Sequence, residues 1–480
     1  MATAKQNFYK WHRVLGLTAL VPVIFWTISG LSHPFMANWF RPDIAKEVFK
    51  PLSQQNMKPQ LSLKQVLDTN HITQFVNFGL VNFDHQSYYQ ILGTDSVFQY
   101  YSANTGRLLK NGDQAYAVYL ARYFTQDSVS AIKSLTLQKT FDGQYQPINH
   151  LLPVWKVSFN RPDGMDIYVE TGQSRMATFN NNTRKAFLWL FEQFHTWDFL
   201  AAIGGDQFRL IVLLCIVGIM FLSLLSGITI YGLFWKKFKT ATKNRRAANR
   251  KDTRFVHRFH RQIGLIVSFV MLTFIVSGAF HLLVKLHNQG SMEKIYNQVI
   301  NSKDISVSNL ELPVPDSLTV KTGLIKYFGI TYYQISTSKK DVLYINAING
   351  KELTDGDKLY ATYLSQYYRE MSDVKNHKAK LTVTPIRQFD NEYGFINKRL
   401  PVQKISYPGN ENWYIETTTS QLAAKVSGID RAEGLSFIFL HKYFGMTWAG
   451  KNVRDIVSML AALGVLVVSL FGFAAFLKNK

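Results

Sequence analysis

The chain contains almost no cysteine. Its 480 residues include one, Cys215, which lies inside a long apolar run. A disulfide within the chain, a cysteine-ligated zinc site and a cysteine-ligated iron–sulfur cluster are therefore excluded. Any domain outside the membrane must be held together by core packing alone, and inserts of about 150 residues are large enough for that.

The signals of two common kinds of enzyme site are also missing. No glycine-rich phosphate loop follows a predicted strand, so an internal flavin or nicotinamide site has no support. No nucleophile with a histidine base stands out either. The chemistry of this protein has to be sought in other residues.

Acidic residues are few relative to basic ones. The chain has 32 Asp and Glu against 54 Lys and Arg, a net charge of +22. Much of the excess lies between residues 236 and 261, and lysines also precede the first apolar run and follow the last. This distribution follows the positive-inside rule of membrane proteins. We therefore predict no nucleic-acid partner, and we expect both termini and the basic loop to be cytoplasmic.

Apolar residues are concentrated in four stretches, at about 13–35, 208–235, 262–285 and 455–477. Each approaches or exceeds the roughly 20 residues that a helix needs to cross a bilayer. The predicted fold is an integral membrane four-helix bundle made of two tandem halves, with two extracytoplasmic α+β domains. We expect a multi-pass membrane protein, in contact with lipid, whose large domains lie on the outer side of the membrane, in the periplasm if the cell is Gram-negative; the bacterial inner membrane is what the family resemblance described below implies.

The predicted segments follow from these stretches. They are transmembrane helix 1 with the N-terminus (1–35), a first periplasmic domain with an interfacial helix (36–206), helix 2 (207–235), the basic loop (236–259), helix 3 (260–285), a second periplasmic domain with an interfacial helix (286–453), and helix 4 with the C-terminus (454–480).

The two halves repeat one another. His-Arg-x-x-Gly-Leu begins at His12 and again at His260, and Ser-Gly-x-x-His ends at His33 and again at His281. The inserts also match, for example at Tyr88-Tyr89-Gln90-Ile91 and Tyr332-Tyr333-Gln334-Ile335, 244 positions apart. Because each half crosses the membrane twice from the same side, an axis along the membrane normal relates them.

Within the inserts, short β-rich runs precede turn signals. Residues 97–101 lead into Asn104-Thr105-Gly106, and residues 341–345 lead into Asn349-Gly350. Helices are predicted after these turns, with Asp113 and Asp357 as their N-caps.

Six histidines recur in both halves, and histidine near a membrane helix usually has a function or a buried partner. They are His12, His33, His195, His260, His281 and His441. His195 and His441 each follow an apolar interfacial segment, at about the depth of His33 and His281. His12 and His260 lie 21 residues before those two, a helical rise of roughly 31 Å, and mark the opposite boundary.

Paired histidines between apolar helices suit haem b, since neutral imidazoles ligate the iron axially and an apolar shell excludes water. Zinc or copper is an alternative guest, and hydrogen bonding at helix ends is an alternative role. Two haems are expected, but the pairing stays open. His33 and His281 would join His195 and His441 in two symmetry-related outer haems, or His12 and His260 would hold an inner haem in a ladder.

The helix openings, the Ser-Gly endings, the Phe-His and Leu-His before helices 2 and 4, and the α+β inserts together resemble the PepSY-associated transmembrane family. Within it, the chain resembles the inner-membrane siderophore-iron reductases, over nearly its whole length. The resemblance implies PepSY domains at 36–206 and 286–453, b-type haems on the six histidines, and reduction of ferric siderophore with release of Fe(II). The electron donor would be a cytoplasmic protein or a quinol.

Two other functions remain open. PepSY domains elsewhere are associated with restraining peptidases, so the inserts would bind a peptide without redox chemistry. A haem protein that senses or passes on electrons is the second. The paired tyrosines Tyr88, Tyr89, Tyr332 and Tyr333 are candidates for an aromatic siderophore-binding wall, with cross-strand core packing as the alternative.

Overall fold

A computed structural model describes residues 4–46, 59–240, 255–287, 296–315, 318–371 and 381–478. Most of the predicted basic loop, at 241–254, lies outside the described residues. The chain forms two compact units. The helical unit comprises Met1–Arg41, Thr183–Gly290 and Ile429–Lys480, and the sheet unit comprises Pro42–Asn182 and Ser291–Gly428.

Four of the helices are long and apolar enough to cross a membrane, as predicted. The helices are α1 (Ala4–Pro34), α2 (Leu63–Thr69), α3 (Gly112–Thr125), α4 (Asn182–Phe191), α5 (Asp198–Leu233), α6 (Phe255–His287), α7 (Gly356–Met371), α8 (Gly428–Ser436) and α9 (Lys451–Leu477). The long ones are α1, α5, α6 and α9. Both α1 and α6 begin well before the predicted apolar runs, so that each basic flank continues its helix.

Within the helical unit, α1 packs against α5 and α9, and α6 packs against the same two helices. Aliphatic side chains such as Val23, Val217 and Val465 fill the space between them. Other apolar side chains face outward. Ile266 and Phe269 on α6 are 76% and 72% exposed, and such a surface suits contact with lipid better than contact with water.

Wide π-helical turns end the short helices of this unit. Glu192–Thr196 follows α4, and Phe437–His441 follows α8. Helix α5 is interrupted at Gly205, whose φ of 82° is non-helical. A second break lies at Trp197, in the left-handed region with φ 53°. His195 therefore lies in a π-helical turn two residues before this break at Trp197, and π-helical turns are frequent at functional sites.

The sheet unit consists of antiparallel sheets with helices packed on them. Four-stranded sheets run β2-β3-β4-β5, β6-β7-β8-β9 and β14-β15-β16-β17, a three-stranded sheet runs β11-β12-β13, and β1 pairs with β10. The strands are β1 (Gln74–Phe75), β2 (Asn77–Phe83), β3 (Gln86–Leu92), β4 (Phe98–Ser102), β5 (Leu108–Leu109), β6 (Ile132–Gln138), β7 (Val154–Phe159), β8 (Asp166–Glu170), β9 (Arg175–Asn180), β10 (Ile300–Asn301), β11 (Thr319–Tyr327), β12 (Ile330–Thr337), β13 (Val342–Asn346), β14 (Thr382–Ile386), β15 (Val402–Tyr407), β16 (Glu411–Glu416) and β17 (Gln421–Val426).

The predicted N-caps of two helices are wrong. Helix α3 begins at Gly112 and α7 at Gly356, so that Asp113 and Asp357 lie in the first helical turn. Their carboxylates accept hydrogen bonds from neighbouring strands instead. Asp113 accepts from Tyr100 Oη at 2.8 Å and from Trp155 Nε1 at 2.5 Å. Burial raises the pKa of Asp113, although these hydrogen bonds oppose the rise.

Strands from both halves share a core in this unit. Phe75 pairs with Ile300 between β1 and β10, and both side chains are fully buried. Tyr89 and Tyr333 lie in the same apolar cluster. The two halves of the sheet unit are therefore one packed body rather than two independent domains.

A buried ion network also joins the halves of the sheet unit. Arg175 donates to both carboxylate oxygens of Glu416 at 2.7 and 3.3 Å, and it contacts Glu170 as well. Arg399 donates to Glu416 at 2.5 Å. Burial would raise the pKa of Glu416, but Arg175 and Arg399 lower it to about 2. The ionised Glu416 carboxylate therefore contributes fully to the free energy of unfolding above its usual pKa of 4.5, and this contribution is lost as the pH falls through about 2.

Candidate functional site

His12 on α1 and His260 on α6 lie opposite each other in the helical unit. Their ring centroids are 6.2 Å apart, with an angle of 37° between the ring planes. We call these two residues the first histidine pair. A metal–imidazole bond is about 2 Å long and the ring centre lies roughly 1 Å further on, so two imidazoles in trans on one metal have centroids about 6 Å apart.

The hydrogen bonds of the first pair fix the tautomer of both rings. Nδ1 of His12 lies 3.0 Å from the carbonyl oxygen of Ser223, and Nδ1 of His260 lies 2.9 Å from that of Val468. A carbonyl only accepts, so both Nδ1 atoms carry the proton and both Nε2 atoms keep a lone pair. Among the described residues no hydrogen bond occupies either Nε2. This is the arrangement that metal-ligating histidines use.

Glycines make room for these rings. A Cβ at Gly227 on α5 would lie 2.9 Å from Cε1 of His12, and a Cβ at Gly472 on α9 would lie 2.9 Å from Cε1 of His260. Such a separation is closer than carbon atoms normally approach. Each ring can therefore lie against its helix only because that position has no side chain.

His195 and His441, at the π-helical turns, form the second histidine pair. Their ring centroids are also 6.2 Å apart, with perpendicular planes at 89°. Nδ1 of His195 lies 3.0 Å from Ser29 Oγ, and Nδ1 of His441 lies 3.1 Å from Ser277 Oγ. Both hydroxyls donate their own proton to a backbone carbonyl, so they accept from the rings. Here too, no hydrogen bond to Nε2 comes from the part of the chain that the structure describes.

His33 and His281 flank the second pair without facing each other. Phe191 lies 4.5 Å from His195 and 5.9 Å from His33, and Phe437 lies 4.9 Å from His441 and 5.3 Å from His281, between ring centroids. No ring contact joins His33 to His281 in the described ranges. His281 donates from Nδ1 to Glu433 at 2.5 Å.

The two pairs lie at different depths along the helices. Ser29, which anchors His195, follows His12 by 17 residues on α1, and Ser277 follows His260 by 17 residues on α6. At 1.5 Å per residue the levels are about 25 Å apart. The structure thus brings four of the six predicted ligands into two pairs and places the remaining two beside the second pair.

Each pair suits an axially ligated porphyrin better than a protein-only metal site. A structural zinc ion takes four protein ligands. No cluster of three or more His, Cys, Asp or Glu residues capable of holding a metal ion occurs in the described ranges. A porphyrin brings four nitrogens of its own and needs only two imidazoles, which are the groups present here.

Sequence reasoning missed the residues that orient the histidines. Ser29 and Ser277 stood in the repeated helix-end motif, but their part in positioning His195 and His441 was not foreseen. Gly227 and Gly472 recur 245 positions apart, and this spacing was the signal that would have identified them.

The four predicted substrate tyrosines line no open surface. Tyr88 and Tyr332 are each 7% exposed, and Tyr89 and Tyr333 are fully buried. The hydroxyls of Tyr89 and Tyr333 donate to the backbone carbonyls of Leu61 and Val307 at 2.8 Å. In this structure the tyrosines pack cores, which was the alternative interpretation, and they do not form an aromatic wall.

A comparison with protein families supports one assignment. The model described as PepSY-associated TM region matches residues 125–479, about three quarters of the chain. No curated protein matches the sequence. With four membrane-length apolar helices and a family match that spans three of them, the chain belongs to the family of the PepSY-associated TM region.

Proposed function

We propose that this protein is a haem b-dependent ferric-siderophore reductase of the bacterial inner membrane. The observation that carries the proposal is the repeated pairing of imidazoles. Two pairs, one at each end of the helices, have ring centroids 6.2 Å apart, and no described residue forms a hydrogen bond to Nε2 of any of the four rings. Such pairing at two depths matches a ladder of two haems rather than two symmetry-related outer haems.

In the proposed arrangement the first pair holds one haem and the second pair holds the other. When bound, each haem accepts and gives up one electron at a time. The carbonyls of Ser223 and Val468 and the hydroxyls of Ser29 and Ser277 orient the four rings through Nδ1, so that each Nε2 would be available to ligate the iron. Phe191 and Phe437 stack on the rings of His195 and His441 and cover one face of each.

The direction of electron flow follows from the proposed topology. The basic residues between α5 and α6 and at both termini favour the cytoplasm. The four long helices then form a bundle of two tandem halves, the first pair lies towards the cytoplasm, and the sheet unit, as two PepSY-like regions, is periplasmic. Haems held by the two pairs would let electrons from a cytoplasmic donor or a quinol pass from the level of His12 and His260 to the level of His195 and His441.

The reaction at the outer face is a one-electron reduction. One electron converts Fe(III) in the chelate to Fe(II), and no bond within the siderophore needs to break. Siderophores bind through hard oxygen donors, which hold Fe(II) more weakly than Fe(III). Reduction therefore releases the iron for uptake.

The test uses the full-length protein purified in detergent. It is reduced with dithionite, freed of excess reductant without oxygen, and mixed with a ferric hydroxamate siderophore and a ferrous chelator. We expect reoxidation of the haem and formation of one ferrous complex for each electron lost. A protein whose haem stays reduced, with no Fe(II) formed, would be an electron carrier or sensor and would contradict the reductase function.

A further inference from the structure

The charge around the second histidine pair differs between the two halves. His441 is followed by Lys442, whereas the matching position after His195 is Thr196. Lys442 ends the π-helical turn, and its backbone N–H donates to the carbonyl oxygen of Phe437 at 3.0 Å. Only the second half therefore carries a cation at this point of the repeat.

Among the described residues, Lys442 has no anionic partner. Its side chain is half-buried, and its Nζ lies 5.1 Å from the centre of the Phe437 ring. In the ranges that the structure describes it forms neither an ion pair nor a side-chain hydrogen bond. Its neighbour Arg454 does have a partner, because it donates to Asp455 at 3.1 Å. A half-buried ammonium without a counter-ion is costly, so this position calls for an anion.

The position of Lys442 narrows the chemistry of that anion. Lys442 directly follows His441, and its Nζ lies 5.1 Å from the centre of the Phe437 ring, which stacks on the His441 ring at 4.9 Å between centroids. The charge of Lys442 therefore lies close to the second pair. A haem b held by this pair brings two propionate groups, which are carboxylates at one edge of the ring. A propionate at this edge would balance the charge of Lys442, for which the described part of the chain offers no anion.

We propose that Lys442 binds a propionate carboxylate of the haem held by His195 and His441. The inference rests on the proposed function, since it requires a haem at the second pair. The ion pair anchors one edge of that haem and sets its orientation. Lys442 makes no contact with the haem proposed for the first pair. The ammonium also stabilises the ferrous form of the second haem, because reduction removes one positive charge from the iron.

The test is a redox titration of the purified full-length protein. For Lys442→Gln we expect the midpoint potential of one haem to fall and that of the other to stay unchanged. A unit charge near the haem shifts its ferric-to-ferrous equilibrium about tenfold, which equals about 59 mV for a one-electron couple. Lys442→Arg keeps the charge and is expected to keep both potentials. Lys339→Gln, the same change at an exposed lysine of the sheet unit, is the matched control.

The possible results distinguish a failure of the Lys442 proposal from a failure of the proposed haem-dependent function. A colourless protein would refute the haem-dependent function itself. Two haems with unchanged potentials in Lys442→Gln would overturn the inference alone, and would assign Lys442 to another anion such as a lipid phosphate. Loss of the second haem in Lys442→Gln, with its retention in Lys442→Arg, supports the ion pair. Loss in both variants would indicate a structural role and would overturn it.

Discussion

Replacing His12 with alanine is expected to remove one of two haems and to leave the other in place. The first pair supplies one imidazole from each half of the chain, and a haem that loses one of two axial ligands is no longer held between α1 and α6. His260→Ala should give the same loss, and the double variant should lose no more than either single one. Haem content per chain, measured on purified protein, checks this result.

The same measurement distinguishes the two pairings. In the ladder, His195→Ala and His441→Ala remove the other haem, while His33→Ala and His281→Ala leave two haems bound. If both haems were instead outer ones, His12→Ala would leave the haem content unchanged, and that result would contradict the ladder.

A glycine substitution provides a control that leaves every ligand in place. Gly227→Val puts a side chain against the His12 ring, where a Cβ alone would lie 2.9 Å from Cε1. It should therefore cost the same haem as His12→Ala. Gly232→Val, in the same helix, meets no atom within 4 Å of its Cβ and should keep both haems. Equal behaviour of the two glycine variants would show that ring placement does not depend on Gly227.

Replacing Arg175 with alanine is expected to destabilise the sheet unit by about 3–5 kcal/mol, the usual cost of breaking a buried ion pair. Arg175 and Glu416 are each 1% exposed. Without Arg175, Glu416 keeps Arg399, but Glu170 loses a partner in a region closed to water. Denaturant unfolding of the full-length protein, followed by the fluorescence of its tryptophans, measures the change.

The matched control is an exposed pair in the same unit. Arg387 and Asp341 are 46% and 45% exposed, and such pairs contribute no more than about 1 kcal/mol. Arg387→Ala should therefore change stability little. If Arg175→Ala cost no more than Arg387→Ala, the network would not be a significant link between the two halves of the sheet unit.

The repeat in the sequence predicted the long helices because their apolar runs match the thickness of a bilayer. It also identified the histidines, since both copies keep them in register. It did not predict which histidines face each other. That depends on how α1 and α6 lie between α5 and α9, and on π-helical turns for which His195 and His441 give no local signal.

Interactions that break the symmetry of the two halves could not be predicted from the repeat. Glu170 recurs as Glu416, but the position of Arg175 corresponds to Gln421. A network that uses one member from each half and breaks the symmetry leaves no repeated spacing to find. Lys442 and Thr196 also differ between the two halves, so the repeat gives no signal at that position either.

The visible spectrum of the purified full-length protein, before and after dithionite, tests the central claim most directly. Two pairs of imidazoles predict two low-spin b haems per chain, with the sharp α band of a bis-histidine haem appearing on reduction. A colourless protein with normal folding, even after haem is supplied during expression, would contradict the account.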